Sequence, residues 1–262
     1  MEPSFSEFTY GYALIDSLQK ASPSGFRTAP ILPSLRSEGK KGVGYDVKIR
    51  VTGRPLLLQF KIPMIVERNK LAPPPGFKTP FYRMYLARAD RSKQHKSLLH
   101  LGSRHKFVYY VTPRFHSTRD LHALFRAGNV ASCSAWIRPS TVGPITDSHA
   151  HFVAYESHGN VGFFYSGNGK RVEPIDWEAF ERALAPEPQL RDANVRAAQP
   201  ILSFAEDVIA LCEGATVPIP MDLPLNSDEG KIARAAWLVR IYLDSELLAL
   251  WRSSRRESNG QS

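Results

Sequence analysis

Asp46, Gln59 and Lys61 are the residues whose types and spacing suit phosphate chemistry. They fall within YDVKIRV-TGRP-LLLQFKI, residues 45 to 62, which is two alternating runs on either side of Gly53. Side chains alternate between the faces of a strand. A hairpin with Gly53-Arg54 at its turn therefore sets Asp46 opposite Lys61 and Lys48 opposite Gln59. One face carries Asp46, Lys48, Arg50, Leu57, Gln59 and Lys61. The other carries Tyr45, Val47, Ile49, Val51, Leu56, Leu58, Phe60 and Ile62, all apolar, and needs a core beneath it.

Phosphodiester cleavage needs a water in line with phosphorus and positive charge on the phosphate oxygens. A Mg²⁺ ion (or Mn²⁺) held by hard oxygen ligands supplies both. Asp46 offers the anionic oxygen, and the Gln59 amide and the backbone carbonyl of Phe60 offer neutral ones. Lys61 is a point charge placed to orient the water or stabilise the pentavalent phosphate. A facing carboxylate keeps that lysine protonated, which favours an electrostatic role over a basic one. An amide at position 59 removes one negative charge relative to Glu and lowers the expected metal affinity.

A further carboxylate is expected from outside the hairpin. Glu7 shares a helical stripe with Gly11, Leu14 and Leu18, and alternatively closes a capping box with Ser4. Glu38 precedes Asp46 in a loop and is the competing ligand. Gln94 and His95 open a helix after the strand expected at 81–86 and join the candidate nucleic-acid contacts. Basic residues cluster at Lys40 with Lys41, at Arg83, Arg88, Arg91, Lys93 and Lys96, and at Arg252 to Arg256. The middle group is interleaved with Tyr82 and Tyr85 and is the expected track for a nucleic-acid backbone.

Hydropathy patterning supplies the elements that must hold these residues. Helices are expected at 4–19, with Phe5, Phe8, Tyr12 and Ile15 as an apolar stripe, and at 92–101, 117–127 capped by Ser117, 176–184, 194–212 and 228–251. Strands are expected at 81–86, 106–112 and 133–137, and a second hairpin at 151–156 and 161–165 turns at His158-Gly159-Asn160. Residues 21–44 and 73–80 are rich in Pro, Ser and Gly and read as connections.

The composition is 43% hydrophobic and 23% charged, which excludes a disordered chain, and the net charge of +9 over 262 residues favours a polyanionic partner. Two cysteines, Cys133 and Cys212, make no disulfide framework, and a reducing cytoplasm fits them. No apolar run is long enough to span a membrane. The N-terminus lacks the basic and apolar regions of a signal peptide. GNGK at 167–170 lacks the spacing of a P-loop, and no GxSxG elbow occurs.

The order helix, long loop, hairpin, strand, helix, strand, helix, strand, with D-x12-QxK on the hairpin, resembles the PD-(D/E)xK nuclease superfamily. Gln in the middle position is similar to Mrr-like restriction nucleases, although no Pro precedes Asp46. The resemblance covers about the first 145 residues. It implies an α/β fold with a restriction-endonuclease-like mixed sheet flanked by helices. Residues 146–262 are then a β-hairpin and helical region packed on that core. It also implies a Mg²⁺-dependent endodeoxyribonuclease of a bacterial or phage defence system. Such an enzyme acts in the cytoplasm as a homodimer or with partner proteins, including a separate NTPase. The alternatives are a non-catalytic nucleic-acid-binding or adaptor subunit on the same fold, and an interaction protein acting through the apolar stripe of its last helix.

Overall fold

Leu56, Leu57 and Leu58 are all fully buried, so the strand that carries them is covered on both faces. That strand, β1 (Gly53–Phe60), is central to the fold. In the computed structural model, which describes residues 2–21, 53–67, 74–88, 94–166, 168–175, 177–184, 199–212, 226–243 and 246–251, β1 lies inside a four-stranded sheet. On one side it runs parallel to β4 (Val108–Pro113), with Phe60 beside Val111. On the other it runs antiparallel to β9 (Glu246–Trp251), from Gly53 beside Trp251 to Leu58 beside Glu246. β5 (Ser134–Ile137) completes the order β5-β4-β1-β9.

This pairing corrects two expectations. Gly53 is the first residue of a strand rather than part of a tight turn, and the edge of β1 over Gly53–Leu58, where the hairpin partner was expected, is occupied by β9. The last helix, α7 (Asp228–Leu243), ends well before Trp251. The segment ELLALW, expected to continue that helix, is β9 instead. Residues 22–52, which include Glu38, Lys40, Lys41 and Asp46, lie outside the described residues, as do Arg91 and Lys93.

Alternation along β1 sends its side chains into two cores. Leu56, Leu58 and Phe60 pack with α1 (Glu7–Ala21), with Leu121 of α3 (Thr118–Ala127) and with Phe180 of α5 (Trp177–Leu184). Leu57 faces the opposite core, with α2 (Gln94–Arg104), α6 (Gln199–Leu211) and α7. Each fully buried leucine contributes on the order of 1.5–3 kcal/mol.

A second sheet, ordered β2-β3-β6-β7-β8, is antiparallel throughout and lays one face on that second core. Its strands are β2 (Met64–Val66), β3 (Phe81–Leu86), β6 (His151–Tyr155), β7 (Gly162–Ser166) and β8 (Asn168–Val172). The expected 151–165 hairpin forms β6 and β7, turning through Gly159 at φ +87°. A four-residue helix, α4 (Pro139–Val142), follows β5. Both sheets draw strands from either side of residue 145, so the segments 1–145 and 146–262 are interleaved. Among the described residues no helix is long and apolar enough to cross a membrane.

Helix caps account for the ends of α1 and α3. Ser117 Oγ accepts from the Asp120 N–H at 3.0 Å, and Gly128 closes α3 in the left-handed region at φ +71°. At α1 the cap is Ser6, whose Oγ accepts from the Thr9 N–H at 3.1 Å. Ser4 instead accepts from the Thr118 N–H at 2.7 Å, tying the chain to the start of α3, so the expected Ser4 to Glu7 capping box does not form. The buried stripe of α1 is Tyr10, Gly11, Ala13, Leu14, Ile15, Ser17 and Leu18, and Phe8 and Tyr12 are 72% and 61% exposed. The stripe that Glu7 was expected to share is thus the buried one.

Candidate functional site

Gln59 is a polar residue between Leu58 and Phe60 in the apolar half of β1 and is completely buried. It lies two residues after Leu57 and so on the α2 side of the sheet. Its Oε1 accepts from Gln94 Nε2 at 2.8 Å, and its Nε2 donates to the Phe60 carbonyl at 3.1 Å. Gln94 is the first residue of α2. Two residues picked out separately from the sequence are therefore joined by a hydrogen bond.

Lys61 follows β1 directly and is half-buried. Its N–H donates to the Val111 carbonyl at 3.0 Å, which continues the parallel ladder. The next rung would need the N–H of residue 113, which is proline and has none. The ladder ends there, and the chain is released at the carboxyl ends of the two parallel strands, where open α/β sheets generally bind ligands. Alternation places the Lys61 side chain on the Gln59 face.

Glu7 reaches this same end from the other face of the sheet. Gly11, one turn further along α1, sits so close to Phe60 that an added Cβ would lie 2.6 Å from the ring. Ser4 donates its N–H to the His116 carbonyl, just past β4, at 3.0 Å. The half-buried Glu7 lies between these anchors, over the carboxyl ends of β1 and β4.

The Glu7 carboxylate, Gln59 Oε1 and the Phe60 carbonyl are oxygen donors of the type Mg²⁺ takes, with Glu7 on the α1 face of the sheet and Gln59 on the α2 face. Among the described residues no group of three His, Cys, Asp or Glu forms a metal cluster, and the further carboxylates, Asp46 and Glu38, lie outside them.

His95, expected at a nucleic-acid surface, belongs to the core and is only 6% exposed. Its Nδ1 lies 2.8 Å from the Tyr110 hydroxyl and its Nε2 lies 2.7 Å from the Gly143 carbonyl. The carbonyl fixes Nε2 as a donor, and in the neutral ring Nδ1 accepts from the Tyr110 hydroxyl. Burial lowers its pKa, the Gly143 hydrogen bond works against that, and His151 adds to the lowering.

The remaining basic candidates fall on surfaces. Lys96 is exposed and Arg88 half-buried. Arg83, on β3, places its guanidinium 4.3 Å from the centre of the Phe152 ring. It belongs to the outer face of the second sheet, where Tyr85, Phe152 and Tyr165 form a row. Tyr85 and Phe152 are 5.8 Å apart, and Phe152 and Tyr165 stack at 5.0 Å. Tyr85 is 41% exposed. Exposed rings beside arginines can stack bases and hold phosphates. Sequence reasoning found Arg83 and Tyr85 but missed Phe152 and Tyr165, although alternation along the second hairpin was the available signal, and missed Arg171 of β8, which pairs with Phe163 at the edge of the sheet.

Comparison with known families, curated proteins and solved structures finds no match to this chain.

Proposed function

We propose that this chain is a metal-dependent nuclease that hydrolyses phosphodiester bonds in DNA, with its site at the carboxyl ends of β1 and β4. The single observation that carries this is the Gln94 to Gln59 hydrogen bond beside Lys61, where the parallel ladder stops. Asp46 and Glu7 are assigned as the carboxylates, with Glu38 the alternative to Glu7, and Gln59 and the Phe60 carbonyl as neutral ligands. A bound Mg²⁺ would supply a nucleophilic water and charge neutralisation on the phosphate. The Lys61 ammonium holds the phosphate oxygen on which charge develops. Gln94 fixes the amide of Gln59 with its oxygen toward the start of α2 and its nitrogen toward the Phe60 carbonyl. A role in a defence system, with a second copy or a separate NTPase as partner, accompanies this proposal through the sequence resemblance.

Plasmid nicking in Mg²⁺ or Mn²⁺ tests it. Asp46→Ala and Lys61→Ala should each lower the rate at least about a hundredfold, on the scale of removing one transition-state charge contact. Equal nicking by wild type and both variants would overturn it.

The complete burial of Gln59 favours a second function, a non-catalytic nucleic-acid-binding subunit. Salt-dependent DNA binding without cleavage in any divalent metal would select it. Action through a free apolar stripe on the last helix is disfavoured, because Ile232, Ala235, Ala236 and Val239 are buried in the core.

A further inference from the structure

Arg114, one residue beyond β4, is a half-buried cation with no carboxylate partner among the described residues. Its Nη1 donates to the Glu156 carbonyl at 2.9 Å, and its guanidinium lies 5.9 Å from the centre of the Tyr155 ring. The carboxylate of Glu156 is turned away and accepts from the Lys78 N–H at 3.1 Å. Desolvation lowers the Arg114 pKa, which is the mark of a charge short of compensation. The guanidinium lines an open cavity of about 180 Å³ with Ser132, Ser134, Ser157, His158 and Trp177. With Arg114 just after β4, these residues come from four separate places: the end of β4, the start of β5 with the residues before it, the turn between β6 and β7, and the first residue of α5.

We propose that this cavity binds a phosphate group carried by a nucleotide or by the end of a nucleic acid. An uncompensated guanidinium at the wall supplies charge and forked donors. Ser157 and His158, which also line the cavity, add donors. Donors converging from separate segments suit a tetrahedral oxyanion better than a planar carboxylate. Ser134 is committed elsewhere, accepting from the Tyr10 hydroxyl at 2.8 Å and donating to the Val130 carbonyl at 2.7 Å, and so shapes the floor. The half-buried Trp177 indole offers a flat wall to the sugar or base. The site uses none of Asp46, Gln59 or Lys61 and goes beyond the catalytic proposal.

The test is thermal denaturation and calorimetry of the full chain with inorganic phosphate, against chloride at matched ionic strength. Phosphate should raise the melting temperature saturably and chloride should not. Arg114→Gln should abolish the response. Because Arg114 also holds the Glu156 backbone, His158→Asp at an exposed turn position is the second variant. It should weaken phosphate binding at least about tenfold, as expected for a like charge placed at the site, without changing the melting temperature of the free protein. Two further arms identify the bearer. Preference for a 5′-phosphorylated over an unphosphorylated oligonucleotide assigns a nucleic-acid end, and tighter binding of a nucleoside monophosphate than of either oligonucleotide assigns a free nucleotide. No phosphate response in the wild type, or an undiminished one in His158→Asp, overturns the proposal. Plasmid nicking by His158→Asp should stay at the wild-type rate, so failure here is distinguishable from failure of the nuclease assignment, which Asp46→Ala and Lys61→Ala read.

Discussion

Gln94 Nε2 donates to Gln59 Oε1 across 2.8 Å, joining the first turn of α2 to the end of a fully buried strand. The amide it reaches has no exposure to water, so its polar atoms depend on protein partners. Gln94→Ala removes the donor and should cost about 1–3 kcal/mol in urea denaturation. Gln59→Leu removes the buried demand itself and should be milder. A double-mutant cycle on the pair should return a coupling of about 0.5–1.5 kcal/mol. Additive effects would mean that the two amides do not depend on each other.

Gly11 permits α1 to lie against Phe60, since a Cβ there would stand 2.6 Å from the ring. Gly11→Ala gains up to about 1 kcal/mol of helix propensity but overpacks the contact, which typically costs about 1–3 kcal/mol. The expected net effect is destabilising. Phe60→Leu should relieve it, so the paired variant should be more stable than the sum of the two single changes predicts. A stabilising Gly11→Ala would show that the helix shifts freely, and would detach Glu7 from the end of β1.

Why some of this was legible in the sequence and some was not follows from where each signal resides. α3 could be bounded because Ser117 and Gly128 mark its ends locally. β4 could be read because VYYV is a dense β-branched and aromatic run. β9 could not, because ELLAL are good helix formers following a helical stripe, and only pairing with β1 at the other end of the chain makes them a strand. Gln59 stood out as a polar residue in an apolar run, whereas its bond to Gln94 depends on how α2 docks. The Arg114 cavity left no sequence pattern, since its lining comes from separated segments.

His95 links stability to pH. Burial depresses its pKa below the ordinary 6.5, so the unfolded chain binds a proton that the folded protein refuses. Stability from this group is complete above the unfolded value. It is lost as pH falls below about 6.5 and until the folded value is passed. His95→Gln, neutral throughout, should be less stable than wild type at about pH 8 because it loses the ring and its fixed bonds. The gap should narrow on titration to about pH 5, measured by urea unfolding at each pH. A gap independent of pH would show that His95 stays uncoupled from folding.

The outer face of the second sheet gives the nucleic-acid assignment a test separate from cleavage. Tyr85 is 41% exposed, and its neighbour Phe152 stacks on Tyr165 at 5.0 Å beneath the Arg83 guanidinium. Base stacking on such rings is worth about 1–3 kcal/mol per base. Tyr85→Ala should therefore weaken single-stranded DNA binding by about 5- to 150-fold, read by fluorescence anisotropy in EDTA so that no cleavage intervenes. Tyr85→Phe should retain most of the affinity, because the ring and not the hydroxyl does the stacking. Arg171, on β8, has a side chain 63% exposed. Arg171→Gln should act on the charge term instead, reducing the slope of log K against log salt by about 0.7. The two substitutions thus separate stacking from counterion release. Unchanged binding in Tyr85→Ala with an unchanged slope in Arg171→Gln would place the nucleic acid elsewhere on the protein.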